Sequence, residues 1–367
     1  MNVYDKVTTM DRFISVIIPT YKEKDNIASL VEKVHAILSE ENYEILFIDD
    51  NSQDGTVELI EELSSKYPVR IIVRHNERGL ASAVVHGFRH SRSELVAVMD
   101  ADLQHPPQVL GNMLQAVRSG ADLAIASRYV AGGSCEGWGF IRRIISKGAV
   151  FLAHLLLPRT RRINDPMSGY FLFRRSVIDG ADLKPAGYKI LLEVLIMGKS
   201  QKVIEVPYSF LVRERGESKL NARQQINYLK HVLSLMKRTG ELVRFLKFCM
   251  VGASGVLVNE GLLWILKEFA TLPLALCSAI SIETAIMSNF LLNDFITFSD
   301  RRVIGTGFFL RRLGKFYAVS QIGLVINIGV LLLLTNVFGL HYLLSNLVGI
   351  GFAMIWNYLA NLGWTWR

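Results

Sequence analysis

The chain has 367 residues, half of them hydrophobic, with a formal net charge of +8 and a mean hydropathy of +0.29. That length allows two or more domains, and three cysteines (Cys135, Cys249 and Cys277) exclude a disulfide framework or a zinc-ligand spacing. The basic balance suits an anionic partner such as a nucleotide phosphate, a lipid phosphate or a membrane surface, and no helix-turn-helix, zinc-finger or RNA-binding signature directs it to nucleic acid.

The N-terminus is charged and has no apolar h-region, so no cleavable signal peptide is expected and the first domain should stay in the cytoplasm. Residues from Phe13 to Glu23 read as a strand running into a loop, with Pro19, Tyr21 and Glu23 at its end. Asn26 can cap a helix over Ile27 to Leu38. Tyr43 to Ser52 is a second strand, passing through Ile48 and ending in Asp49 and Asp50, after which Asp54-Gly55-Thr56 opens another helix. Val69 to Val73 is a third strand, followed by His75-Asn-Glu-Arg-Gly-Leu80 and a helix through His90.

The fourth strand, Leu95 to Met99, ends abruptly in Asp100-Ala-Asp-Leu-Gln-His-Pro-Pro107. Asp100, Asp102 and Gln104 form an all-oxygen cluster where a strand leaves the sheet, a set suited to Mg²⁺ or Mn²⁺ shared with substrate phosphates. Strands alternating with helices predict a parallel sheet in a doubly wound nucleotide-binding domain. Three strand ends then converge on one edge, where Tyr21 offers a face for a base and Asp50 an acceptor for a base N–H or a ribose hydroxyl. No Gly-x-Gly-x-x-Gly follows the first strand and no Walker lysine loop is present, which argues against a dehydrogenase and a P-loop kinase.

Downstream, Arg128 follows a strand over Ala121 to Ala126 and is expected near the same edge. Arg213 and Lys219 sit in the charged loop Val212 to Leu220, after a strand at Lys202 to Val206. An arginine fork and a lysine point charge both suit phosphate oxygens. Ile141 to Leu157 is too short for a comfortable span and is basic at one end, with Arg142, Arg143 and Lys147, so it reads as an interfacial helix, as does Asn221 to Arg244. Core packing is the plain alternative for both. Four membrane spans follow at about 246–267, 273–296, 316–338 and 342–364. Arg301, Arg302, Arg311, Arg312 and Lys315 crowd the second link, which predicts both termini on the cytoplasmic side. Polar residues inside the spans, among them Glu260, Glu283, Asn289, Asn293, Asp294, Asn327 and Asn357, are either functional or paired between helices. The expected organisation is a catalytic domain at 1–220, an interface helix at 221–244 and a membrane domain at 245–367.

Val16-Ile-Ile-Pro-Thr-Tyr-Lys-Glu23, Ile48-Asp-Asp-Asn-Ser52, Asn76-Glu-Arg-Gly-Leu80 and Asp100-Ala-Asp-Leu-Gln104 together resemble a family 2 glycosyltransferase of GT-A fold. Ala126-Ser-Arg-Tyr129 and Asp165-Pro-Met-Ser-Gly-Tyr170 narrow the resemblance to the polyprenyl-phosphate sugar transferases, over roughly residues 13 to 235. The resemblance implies donor contacts at Pro19, Tyr21, Glu23, Ile48, Asp50, Asp100, Ala101 and Asp102, and a divalent metal on Asp102 and Gln104 with Asp100 nearby. It also implies a polyprenyl-phosphate acceptor, and the charge pattern of the residues themselves puts Arg128, Arg142, Arg213 and Lys219 on the phosphates. The lipid phosphate is already ionised at neutral pH, so no general base is needed, and a single displacement inverts the sugar. Mannose from GDP-mannose onto dolichyl phosphate is the first expectation. Glucose from UDP-glucose onto undecaprenyl phosphate is the near alternative, and a non-catalytic lipid-sugar flippase or scaffold is the alternative of another class. The membrane segment resembles a small four-helix family found with cell-surface polysaccharide synthesis, on Phe248-Cys-Met-Val-Gly252 and Asn289-Phe-Leu-Leu-Asn293. Oligomeric state and sugar identity stay open.

Overall fold

The computed structural model describes residues 14–184, 187–211, 222–270 and 272–367. They fall into two compact units, one up to Thr239 and one from Gly240 onward.

The first unit is built on a seven-stranded sheet. Its strands are β1 (Ile14–Thr20), β2 (Tyr43–Asp49), β3 (Val69–Val73), β4 (Leu95–Val98), β5 (Leu123–Ser127), β7 (Phe171–Arg174) and β8 (Val203–Pro207), in the order β3-β2-β1-β4-β7-β5-β8. A two-residue strand β6 (Ser134–Cys135) pairs separately with β9 (Ser209–Phe210). Alternation along the strands divides the core into two layers. Val16, Ile18, Ile45, Phe47 and Ala97 face α1 (Lys24–Leu38) and α4 (Gln108–Arg118). Ile17, Leu46, Ile48, Val96 and Val98 face α3 (Leu80–His90) and α6 (Ile190–Met197). The helix α2 (Thr56–Leu63) joins β2 to β3. α3 approaches the sheet so closely at Gly87 that a methyl group there would collide with Ile17.

The sheet is not wholly parallel. β7 runs antiparallel to both neighbours, β4 and β5. The chain leaves β5 at the edge where that strand ends, and the amide of Ala126 donates to the carbonyl of Tyr170 at the same edge. A strand starting there can only run back. The run Phe171-Leu-Phe is short and lies between a polar turn and two arginines, so it carries little strand signal.

Two helices of this unit keep apolar faces in the open. On α5 (Phe140–Leu156) only Ala153 is fully buried, while Phe140, Ile141, Ile144, Ile145 and Phe151 are exposed. α7 (Ala222–Arg238) exposes Ile226, Leu229 and Leu233. Its inner face is pinned by Tyr228, whose hydroxyl donates to the carbonyl of Ala149, and by Glu193, which takes His231 Nε2 at 3.1 Å and Arg238 Nη1 at 3.0 Å.

The second unit holds α8 (Glu241–Phe269), α9 (Leu274–Leu292), α10 (Thr306–Asn336) and α11 (Tyr342–Ala360), with π-helical turns at Asn293–Thr297 and Asn361–Thr365. All four helices are long and apolar enough to cross a membrane. The third begins ten residues before the expected span at 316, because Arg311, Arg312 and Lys315 lie on its first turns. Asp294 is fully buried and bound by Arg312 (2.8 and 3.2 Å), by Arg302 (3.2 Å) and by the indole N–H of Trp366 (2.8 Å). Trp366 in turn stacks on Phe298 at 4.4 Å, which fixes the C-terminal turn against the other π turn.

Removing one side of such a buried pair typically costs about 3–5 kcal/mol because a charge is left unpaired. Asp294→Ala is therefore expected to lower the thermal midpoint of the full chain in detergent sharply. The double change Asp294→Leu with Arg312→Met should recover much of that loss. Equal midpoints for Asp294→Ala and the unaltered chain would remove this pair from the stability of the unit.

Candidate active site

A cleft of about 760 Å³ opens at the edge of the sheet where β1, β2 and β4 end. Pro19, Tyr21 and Glu23 reach it from β1, Asp50 from β2, and Asp100, Ala101 and Asp102 from β4. The opposite wall is Arg78 and Gly79 at the start of α3, with Gly187, Tyr188 and, from α7, Gln224 and Asn227. Three non-glycine residues among those described adopt a left-handed φ: Lys22, Asn51 and Leu103. Each lies in one of the three loops that deliver the cleft's side chains. Such conformations cost energy and persist where the surrounding structure fixes a loop for a purpose.

Asp50 is more committed than its sequence position suggests. Its Oδ1 binds the guanidinium of Arg74, and its Oδ2 accepts the amide of Gly79 at 2.8 Å. It therefore holds the loop carrying Arg78 in place, and only the remaining lone pairs face a ligand. Tyr21 stands at the mouth, with the Arg78 guanidinium 5.5 Å above its ring. Arg78 belongs to a motif that the sequence singles out, yet without the fold nothing marks it as a cleft cation.

Asp100 and Asp102 both line the cleft. The Asp102 carboxylate accepts the amide of Gln104 at 3.2 Å, and the amide of Asp100 donates to Nδ1 of His105 at 3.0 Å. Burial pushes the His105 imidazole down to about 4, and it lies stacked on Tyr170 as a neutral ring. No cluster of three or more His, Cys, Asp or Glu side chains able to hold a metal occurs among the described residues. Two carboxylates opening onto one cleft still fit a Mg²⁺ or Mn²⁺ ion, which commonly takes one or two carboxylates and completes its shell with substrate oxygens and water.

Two expected donor-side residues stand elsewhere. Ile48 is fully buried in the core layer beneath the sheet and does not line the cleft. Gln104 does not line the cleft: its Nε2 donates to the carbonyl of Leu211 at 2.8 Å, and its own carbonyl accepts the Leu211 amide. It ties the Asp100–Asp102 loop to the residue just before the charged loop. Arg213 and Lys219 lie outside the described residues.

Arg128 is not an open guanidinium. Its Nε and Nη2 bind the two oxygens of the fully buried Asp165 at 2.7 and 2.8 Å, and its backbone amide reaches the same carboxylate. Burial works against its charge, but Asp165 outweighs burial and holds it above the usual arginine value. Glu205 accepts the amide of Asp165 at 2.9 Å. The indole of Trp138 lies between Arg128, at 5.3 Å, and Arg142, at 4.2 Å. Two of the expected phosphate-binding arginines thus meet around one aromatic ring. Asp165 and Trp138 organise this cluster, and neither is legible as its partner from sequence spacing. Nothing in the sequence marks Lys189 either. Its ammonium donates to the carbonyl of Met167 at 2.9 Å, and burial, with Arg128 adding, pushes it down to about 8.

The chain matches the model of "Glycosyl transferase family 2" over residues 15–180 and that of "GtrA/DPMS, transmembrane domain" over residues 247–366. It is 46% identical over 359 residues, 96% of this chain and 99% of the other, to a dolichol-phosphate mannosyltransferase of Pyrococcus furiosus. A dolichol-phosphate mannosyltransferase of Mycosarcoma maydis is 40% identical over 61% of this chain and 79% of its own. A polyprenol monophosphomannose synthase of Mycolicibacterium smegmatis is 39% identical over 56% of this chain and 80% of its own.

The depressed Lys189 ammonium has a measurable consequence. The folded chain gives up this proton near pH 8, whereas an unfolded lysine keeps it to about 10.4. The destabilisation is then full below about pH 8 and is relieved as pH rises from there towards 10.4. Thermal midpoints measured across this window should show that relief in the unaltered chain and lack it in Lys189→Met.

Proposed function

The chain is a glycosyltransferase of family 2 joined to a GtrA/DPMS transmembrane domain, and from that premise we propose that it moves mannose from GDP-mannose to dolichyl phosphate with inversion at the sugar. The observation that carries the reading is the cleft itself, a space of about 760 Å³ at the edge of the sheet that Asp100, Asp102 and Arg78 all line. Near end-to-end likeness to a protein named for this activity supports the same substrates.

The reaction brings two anions together. The attacking group is an oxygen of the lipid phosphate, ionised at neutral pH because its second pKa is about 6, so no protein base has to take a proton from it. The difficulty is charge. Asp100 and Asp102 would hold the divalent cation, which neutralises the departing diphosphate when bound. Arg78 faces the same group from the start of α3, and Tyr21 gives the base a flat surface. On the acceptor side Arg128 and Arg142, gathered around Trp138, are proposed to receive the lipid phosphate, with Arg213 and Lys219 of the charged loop. Asp165 acts through Arg128: it fixes the guanidinium plane, so the arginine loses little freedom when a phosphate arrives. Gln104 is proposed to steady the Asp100–Asp102 loop through its bond to Leu211.

The exposed apolar faces of α5 and α7 fit helices that lie in the bilayer interface. Basic residues concentrated between the second and third spans support a cytoplasmic placement of both termini, although Arg312 is spent on Asp294. UDP-glucose and undecaprenyl phosphate would be handled by the same charge logic, so a donor and acceptor panel decides between them.

Purified chain given GDP-[14C]mannose, UDP-[14C]glucose and short polyprenyl phosphates should form mannolipid best. Asp102→Asn should lower turnover by about 10²-fold or more with an unchanged melting curve. Turnover by this variant equal to that of the unaltered chain would take Asp102 out of the site. Absence of glycolipid from every donor, with nucleotide still bound, would favour the non-catalytic reading. Ile144→Glu with Leu229→Glu should lower the rate on long prenyl phosphates in vesicles more than on a short water-soluble acceptor, measured by the ratio of the two rates.

A further inference from the structure

The membrane unit repeats itself. Lys247, Phe248, Val251, Gly255 and Asn259 of α8 recur at one constant offset as Lys315, Phe316, Val319, Gly323 and Asn327 of α10. The same offset carries Asn289, Asn293 and Thr297 onto Asn357, Asn361 and Thr365. Structure follows sequence: α8 packs with α9 and α10 with α11, and each pair ends in a π-helical turn that starts at an asparagine. The close packing is repeated too, since a methyl group added at Gly255 would collide with the amide of Asn289, and one at Gly323 with the amide of Asn357. Two hairpins of the same hand and direction are the arrangement of a parallel internal repeat, related by an axis along the membrane normal.

Between the two copies lies a cavity of about 440 Å³. Equivalent residues of both halves line it: Phe248 and Phe316, Val256 and Leu324, Asn289 and Asn357. Asn293 and Asn327 also reach it, and the amide oxygens of all four asparagines are buried without a hydrogen-bond partner. Asn293 is only 2% exposed. No charged side chain lines the space, so an ion would find no counter-charge. Hydrocarbon alone would leave four acceptors unpaired, at about 1–3 kcal/mol each. Water alone, at about 30 Å³ per molecule, would fill the space but wet its aromatic and aliphatic walls. A group that is apolar in body and bears hydroxyl donors meets both halves of the lining.

We propose that the axis of this duplicated hairpin carries a binding site for the hydroxyl-bearing head of a neutral lipid, separate from the cleft of the first unit and independent of the reaction assigned to that cleft.

The test uses the full chain in a dimethylamine-oxide detergent, which has no hydroxyl group, and measures binding by native mass spectrometry. The probes are decyl mannoside, monooleoylglycerol and methyl oleate, the last with a comparable chain and no hydroxyl. One equivalent of a hydroxylated probe should bind about tenfold more tightly than methyl oleate. The stronger of the two hydroxylated probes tells whether the source is a glycosyl or a glycerol head. Asn289→Leu, which removes an acceptor at similar size, and Ala253→Phe, which fills the cavity with every asparagine intact, should each abolish the preference. Binding that is equal for all three probes, absent for all, or unchanged in Ala253→Phe overturns the proposal.

Discussion

Parallel strands that share a sheet must end on the same side, and this constraint determines the chemistry of the first unit. β1 pairs in parallel with both β2 and β4, so whatever follows these three strands is delivered to one line. The residues delivered are Tyr21 and Glu23, Asp50, and Asp100 with Asp102. No long-range search is needed to bring an aromatic ring and two carboxylates to one cleft. The sheet's hydrophobic registry does it, because slipping a strand by one residue would turn Val16 and Ile18 out of their layer. The left-handed residues at Lys22, Asn51 and Leu103 show what that delivery costs locally: each loop bends sharply at once after its strand.

The second half of the site is assembled differently. Arg128, Asp165, Glu205 and Trp138 come from distant stretches of the chain, and hydrogen bonds and ring contacts bring them together where no strand end does. A guanidinium held by a buried carboxylate is rigid and keeps its charge. Rigidity suits the phosphate-receiving role proposed for Arg128, since the ordering cost on the protein side is already met in folding. The neighbouring Arg142 guanidinium lies 4.2 Å from the centre of the Trp138 ring, so both arginines contact the same aromatic ring.

This difference explains what sequence could reveal. Hydrophobic runs broken by acids mark strand ends, and β1, β2 and β4 with their loops are legible in that way. The pairing of Arg128 with Asp165 is not, since spacing along the chain carries no sign of which carboxylate faces which arginine. The reversal of β7 is hidden because a three-residue apolar run has no direction. Gln104 reads as a metal ligand by its type and place after Asp102, but it does not line the cleft, and its amide nitrogen is held by the carbonyl of Leu211, a residue more than a hundred positions away. The repeat in the membrane unit lies in plain view as matched asparagines and glycines, yet the uniform apolar background of four spans conceals it unless positions are compared at one offset.

Within the membrane unit, polar side chains divide into two kinds. Asp294 is surrounded: two arginines and an indole satisfy it, and it joins the two π-helical turns. It breaks the repeat, since leucine stands at the matching position, Leu362. The asparagines of the cavity, Asn289, Asn293, Asn327 and Asn357, are the opposite case, with buried amide oxygens that have no hydrogen-bond partner. A residue kept only to glue helices together would be expected to find its partner across the interface, as Asp294 does. Asparagines that occur in both halves, press on a glycine in both halves and still lack a partner are better accounted for by a ligand than by packing. That contrast separates a lock, which is asymmetric and complete, from a cavity, which is symmetric and unfinished.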